Sequence, residues 1–208
     1  MLPLETVLTF FTASLLLGLA PGPDNIFVLT QSTLHGRSAG LLVMLGLCTG
    51  LVVHSLAVAL GAAAILQTSV LAFTVLKLAG AAYLLYLAWG ALRAGAASLP
   101  TTAAQAPAAG ALYRRGIIMN ITNPKVAIFF LAFLPQFADP ARGSVAVQIM
   151  LLGGLFIVAT ILVFGGVALA AGSLRQWLLR SERSQVVLNR VAGLVFIGLA
   201  ARLATAQR

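Results

Sequence analysis

Leu19-Ala20-Pro21-Gly22-Pro23-Asp24-Asn25 interrupts an apolar stretch that runs from Thr6 to Leu29. Two prolines and a glycine in so short a run remove backbone donors, so the helix that the apolar residues would form must break there. Backbone groups freed at membrane depth are tolerated only where protein or a water-lined cavity satisfies them. A carboxylate follows the break, although an ionised side chain at the bilayer centre costs about 2.5–3.5 kcal/mol even on the lenient scale. The run therefore predicts a broken membrane helix with a functional site at the break.

Outward from this run the chain reads as a membrane protein. Of its 208 residues 61% are hydrophobic and 8% charged, against about 45–50% and about 25% in a soluble domain. Further apolar stretches cover Gly40 to Leu66, Val70 to Leu92, Gly116 to Phe137, Val145 to Ala171 and Val186 to Ala204. With the first stretch these make six spans at roughly 20 residues each. Little but loops is left over: LTQSTLHGRSA, QTS, a Pro/Ala/Thr-rich linker from Arg93 to Arg115, ADPARGS and SLRQWLLRSERSQ. Glu5 stands where a secretory signal carries Lys or Arg, so the N-terminal stretch reads as the first span.

The net charge of +9 would suggest nucleic acid in a soluble domain. No Lys/Arg run interleaved with aromatics supports that, and in a membrane chain the excess records orientation. Arg37, Arg93, Arg114, Arg115, Arg175, Arg180, Arg183 and Arg190 fall in the first, third and fifth loops, against Arg142, Arg202 and Arg208 on the other side. The odd loops are thus expected in the cytoplasm, with both termini outside. A first segment that failed to cross would leave five full spans and a cytoplasmic N-terminus.

The halves resemble each other. Lys77-Leu-Ala-Gly-Ala-Ala-Tyr83 aligns with Arg190-Val-Ala-Gly-Leu-Val-Phe196, and Pro23-Asp-Asn-Ile-Phe-Val-Leu29 with Pro124-Lys-Val-Ala-Ile-Phe-Phe-Leu131, allowing one insertion. Three spans per repeat is odd, so the second copy enters from the opposite face, the inverted-repeat plan of many secondary transporters. The expected architecture is an all-α polytopic membrane protein of six transmembrane helices in a 3+3 inverted repeat. Residues 1–92 form the first repeat, 93–115 a cytoplasmic linker and 116–208 the second repeat, with the first and fourth helices broken.

The fourth span supplies the matching break in Asn120-Ile-Thr-Asn123-Pro124-Lys125. Asp24 and Lys125 then approach the midplane from opposite faces. They either pair with each other when the site is empty or bind opposite ends of a zwitterion, Asp24 taking an ammonium and Lys125 a carboxylate. A permanent structural salt bridge is the competing reading. Gly46, Gly50 and His54 share one helix face, where His54 either relays a proton beside Asp24 or bonds to a neighbouring helix. Tyr83, Tyr86 and Trp89 read as packing or an interface belt. The lone Cys48 excludes an intramolecular disulfide and a cysteine-based metal site. Glycines at 46, 50, 153, 154, 165 and 166 pack helices either within a monomer or between protomers of a homo-oligomer.

These residues together resemble the LysE/RhtB family of bacterial amino-acid exporters: Ala20-Pro-Gly-Pro-Asp-Asn25, Gly46 and Gly50 leading to His54, Lys77-Leu-Ala-Gly80 with Tyr83-Leu-Leu-Tyr-Leu-Ala-Trp-Gly90, and Asn120-Ile-Thr-Asn-Pro-Lys125 leading to Leu134-Pro-Gln-Phe137. The similarity covers nearly the whole chain. It implies an inner-membrane transporter that expels amino acids, driven by proton or ion gradients. Carried over, Pro21, Gly22, Pro23, Asp24, Asn123, Pro124 and Lys125 lie on the transport pathway; Asn25, His54 and Asn120 join them from the reading of the breaks. The expected partners are an amino-acid substrate, a coupling proton and the bilayer, with no cofactor, metal or nucleic acid. A cation exporter is the alternative, but it would want more intramembrane oxygen anions than one Asp. Enzyme readings lack paired aspartates, a Gly-rich serine motif and HExxH.

Overall fold

In a computed structural model, residues 2–68, 70–95, 106–174 and 182–205 are described. Among them there are helices and no strands. The first apolar stretch forms α1 (Leu4–Leu19) and α2 (Pro23–His35), bent by 61° across Ala20–Gly22. α3 (Arg37–Thr68) and α4 (Val70–Arg93) follow. The second break separates α5 (Ala109–Thr122) from α6 (Pro124–Ile128), with a bend of 51°. α6 runs on through a π turn at Phe129–Phe133 and a 3-10 turn at Leu134–Phe137. α7 (Val145–Leu169) and α8 (Glu182–Thr205) complete the bundle. Among the described residues four helices are long and apolar enough to cross a membrane alone, and the number of spans rises to as many as six if each bent pair counts as one. The chain is a polytopic membrane protein, as the composition requires.

Several boundaries differ from the hydropathy reading. The first loop shrinks to Gly36, whose φ of +84° is open to glycine, because α2 continues through the polar residues Thr30–His35. Ser32 and Thr33 return their hydroxyls to the carbonyls of Val28 and Thr30, so these polar side chains are satisfied within the helix. α5 starts at Ala109, before the apolar stretch, and carries the exposed Arg114 and Arg115. A window of apolarity detects where a helix enters lipid, not where its hydrogen bonding begins. Residues 96–105 of the linker and 175–181 of the fifth loop lie outside the described residues.

α3 and α7 run antiparallel, as do α4 and α8. Gly153 of α7 packs on Ser55 of α3, and further along α7 Gly165 lies near Met44, earlier on α3. In the α4–α8 pair, Gly80 meets Leu203 while Gly193 meets Ala88 and Leu92. α3 and α5 instead run parallel, Gly46 against Tyr113 and Gly116, then Gly50 against Asn120. Of the glycines read as packing surfaces, 46, 50 and 153 are consumed within the chain, whereas Gly154 and Gly166 face open space.

Large apolar side chains line the outside of these helices: Leu60 (78% exposed), Leu71 (74%), Tyr86 (67%), Leu151 and Leu194. Such a surface suits lipid. The guanidinium of Arg93 lies 3.7 Å over the exposed Trp89 ring, an arrangement expected at a membrane boundary. Inside, Phe10, Phe129, Phe130, Phe133, Phe137 and Phe156 form one aromatic cluster between α1, α6 and α7.

The α3–α5 contact is backbone against backbone, since a Cβ on Gly46 would land on the carbonyl oxygen of Tyr113, which cannot yield. Gly46→Ala should therefore lower stability by about 1–3 kcal/mol, read as a fall in Tm of the purified protein. An unchanged Tm would mean that the two helices do not meet at this point.

Candidate functional site

The two breaks meet at the centre of the bundle. Asp24 occupies the first turn of α2, where the helix dipole favours an anion. Lys125 occupies the first turn of α6, the wrong end of its own helix for a cation. It reaches instead to the negative end of α1: Lys125 Nζ donates to the carbonyls of Leu17 (3.3 Å) and Ala20 (3.2 Å). Both charges are buried, Asp24 at 4% exposure and Lys125 at 8%.

Asn123 joins them. Its Oδ1 accepts the backbone N–H of Lys125 (3.0 Å) and so caps α6, while its Nδ2 donates to Asp24 Oδ2 (2.9 Å). Asp24 and Lys125 form no direct ion pair; the connection runs through Asn123 and through the α1 carbonyls. On the other side of the break Asn25 Nδ2 donates to the Gly18 carbonyl (2.7 Å), which a continuous helix would have bonded to residue 22.

The prolines explain why these carbonyls are available. In an unbroken helix the Leu17 carbonyl would accept from residue 21 and the Asn120 carbonyl from residue 124. Both positions are proline and have no N–H. Each freed carbonyl is taken by a side chain from the opposite half, Leu17 by Lys125 and Asn120 by His54, whose Nε2 donates across 3.2 Å. Asn120 O also accepts from the Asn123 N–H. His54 is half-buried with its ring on Phe130, and it faces α5 and not Asp24 as a direct partner. Pro23 and Pro124 themselves point outward, and Pro21 and Gly22 are half-buried in the bend.

Three acceptor oxygens at this centre have no partner: Asp24 Oδ1, Asn25 Oδ1 and Asn120 Oδ1. Buried polar atoms are seldom left in this condition without a reason. Asp24, Asn120 and Lys125 line a cavity of about 20 Å³ together with Leu17, Phe156 and Thr160. It has room for about one water, far below the roughly 300 Å³ of an ordinary small-molecule pocket. A larger apolar cleft of about 220 Å³ lies on the other side of the break, lined by Pro21, Asn25, Ile26, Val163, Leu188 and Asn189 among others. The contact of Gly18 with Val163, where a Cβ would sit 3.4 Å away, separates the two.

All ten residues singled out in the sequence lie on or beside the two breaks. The reading missed the Leu17 and Ala20 carbonyls, Thr160 and Val163. For Leu17 a signal exists, since proline four residues ahead always frees a helix carbonyl.

A family model described as LysE type translocator matches residues 15–207. The chain belongs to that family. Over 198 residues it is 36% identical to a homoserine/homoserine lactone efflux protein of Salmonella typhimurium, covering 95% of both chains. An uncharacterized membrane protein of Vibrio cholerae is 34% identical over 201 residues, covering 96% of this chain and 97% of the relative. No solved structure matches it significantly. As a LysE type translocator with apolar helices throughout, it is a multi-pass protein of the inner membrane, and its family implies a small-molecule substrate.

Proposed function

We propose that this translocator is a secondary exporter of amino acids or closely related zwitterions, working by alternating access and driven by the proton gradient. The observation that carries this reading is the buried set Asp24–Asn123–Lys125 at the meeting of two helix breaks. One anion and one cation, each held by a neutral group and not by the other, leave charge available at both ends of a bound zwitterion. Membership of a translocator family favours transport over catalysis. His54, bonded to the α5 end of the break, and Asp24 are the titratable groups through which proton coupling would act.

The small volume of the central cavity supports a cycle in which substrate enters only after the helices part. The apolar cleft beside Pro21 and Asn25 is the natural approach. The Salmonella relative is named for homoserine and homoserine lactone, two compounds that share a primary ammonium but not a carboxylate. We carry both to this chain as leading substrates.

The test is efflux from proteoliposomes holding a labelled panel of amino acids, homoserine and homoserine lactone, at imposed pH gradients. Saturable export of at least one of them, accelerated by an opposing proton gradient, is the expected result. Failure to move any member of the panel would remove the claim, and export indifferent to the gradient would remove the coupling.

A further inference from the structure

The Lys125 ammonium does not rest among anions but in a cradle of helix-end oxygens. Leu17 O and Ala20 O accept two of its three protons. Gly22 closes the cradle, since a Cβ there would lie 3.2 Å from Nζ and 3.7 Å from Asn25 Oδ1. Around it stand two more acceptors with no partner, Asp24 Oδ1 and Asn25 Oδ1. The neighbourhood thus offers more oxygens than Lys125 uses, at the negative end of α1 and beside a carboxylate. That is the chemistry of a primary-ammonium receptor.

We propose that the α1 carbonyls of Leu17 and Ala20, with Asp24 and Asn25, form the ammonium subsite of this protein, and that Lys125 fills it as a tethered stand-in until a ligand ammonium displaces it. The proposal rests on the exporter reading in one respect, that the displacing group belongs to a transported compound. Displacement sends the Lys125 side chain out of the cradle, where it can meet the ligand's carboxylate if it has one. Binding of the ammonium and release of the lysine are then one exchange, so the empty site keeps no unpaired cation. A ligand lacking a primary ammonium has nothing to exchange and leaves Lys125 in place.

The chain has two lysines, Lys77 and Lys125, so lysine labelled with ¹³C at Cε gives two side-chain signals in the purified full-length protein. Propylammonium should shift the Lys125 signal saturably and leave that of Lys77 unchanged, and tetramethylammonium, which has no N–H, should shift neither. Lys125→Met should bind propylammonium about tenfold more tightly than the wild type, because a competitor present about nine-tenths of the time has been removed. A Lys125 signal that stays fixed under saturating propylammonium overturns the proposal, as does a folded Lys125→Met protein with no gain in affinity. Should that variant not fold, the labelled wild-type protein decides alone. None of these readouts is efflux: a protein that exports nothing can still show the exchange, and an exporter whose Lys125 stays in place refutes the exchange alone.

Discussion

Asp24→Asn should reduce efflux by at least about thirtyfold while the protein still inserts and folds. The substitution keeps an oxygen that can accept from Asn123 Nδ2, so the link between the two halves survives. It replaces the unpartnered Oδ1, an acceptor facing the central cavity, with an amide donor or removes its charge. Hydrogen bonds to charged groups contribute about 1.5–3 kcal/mol each, so losing the carboxylate's bond to a ligand ammonium together with its charge comes to about 2 kcal/mol or more, and each 1.4 kcal/mol is a factor of about ten. The loss should fall on substrate binding, because an ammonium ligand then finds a neutral amide, whereas Lys125 keeps its two carbonyls. Efflux at equal membrane expression is the measurement. Wild-type rates from Asp24→Asn would make the carboxylate structural and leave the transport reading without its anion.

The breaks were legible because proline acts through covalent structure, independently of what packs around it. Pro21 and Pro124 cannot extend the helices that precede them, and Pro23 and Pro124 open α2 and α6 at their first positions, so α1–α2 and α5–α6 divide as the sequence requires. Helix ends outside the apolar core were not legible. Thr30 to His35 look like a loop to any scale of apolarity, yet α2 runs up to Gly36 with the Ser32 and Thr33 hydroxyls satisfied on its own carbonyls. The glycines within one of the two short alignments lie where α4 and α8 touch, Gly80 near Leu203 and Gly193 on Leu92.

At the site, residue identities were legible and partners were not. Asp24 and Lys125 stand out as charges inside apolar runs, but sequence offers no means to choose between a salt bridge and two separate roles. The structure interposes Asn123, a residue read from the sequence only as part of a motif. The Leu17 carbonyl is invisible as a side chain, since leucine has no polar group; it becomes a ligand only because residue 21 is proline. Where His54 would bond depended on Asn120 being brought opposite it by the close α3–α5 crossing at Gly46 and Gly50.

Asn123 gives the second large effect, and a pair of substitutions separates its two jobs. Asn123→Ala loses the α6 cap and leaves Asp24 Oδ2 unpaired, a penalty of about 1–3 kcal/mol, or roughly five- to 150-fold in efflux if it falls on the active conformation. Asn123→Asp keeps the cap, for an aspartate accepts the Lys125 N–H as well as asparagine does. It nevertheless turns the donor that faces Asp24 at 2.9 Å into a second carboxylate. Two carboxylates at that separation repel while both are charged and are relieved only when one of them takes up a proton. At neutral pH the conservative substitution should therefore be the more damaging of the two. As pH falls, that proton restores an O–H donor where Asn123 had its N–H, so efflux by Asn123→Asp should recover relative to wild type while that of Asn123→Ala stays flat against the same reference. If capping were the whole role of Asn123, Asn123→Asp would behave as wild type at every pH and only Asn123→Ala would be impaired.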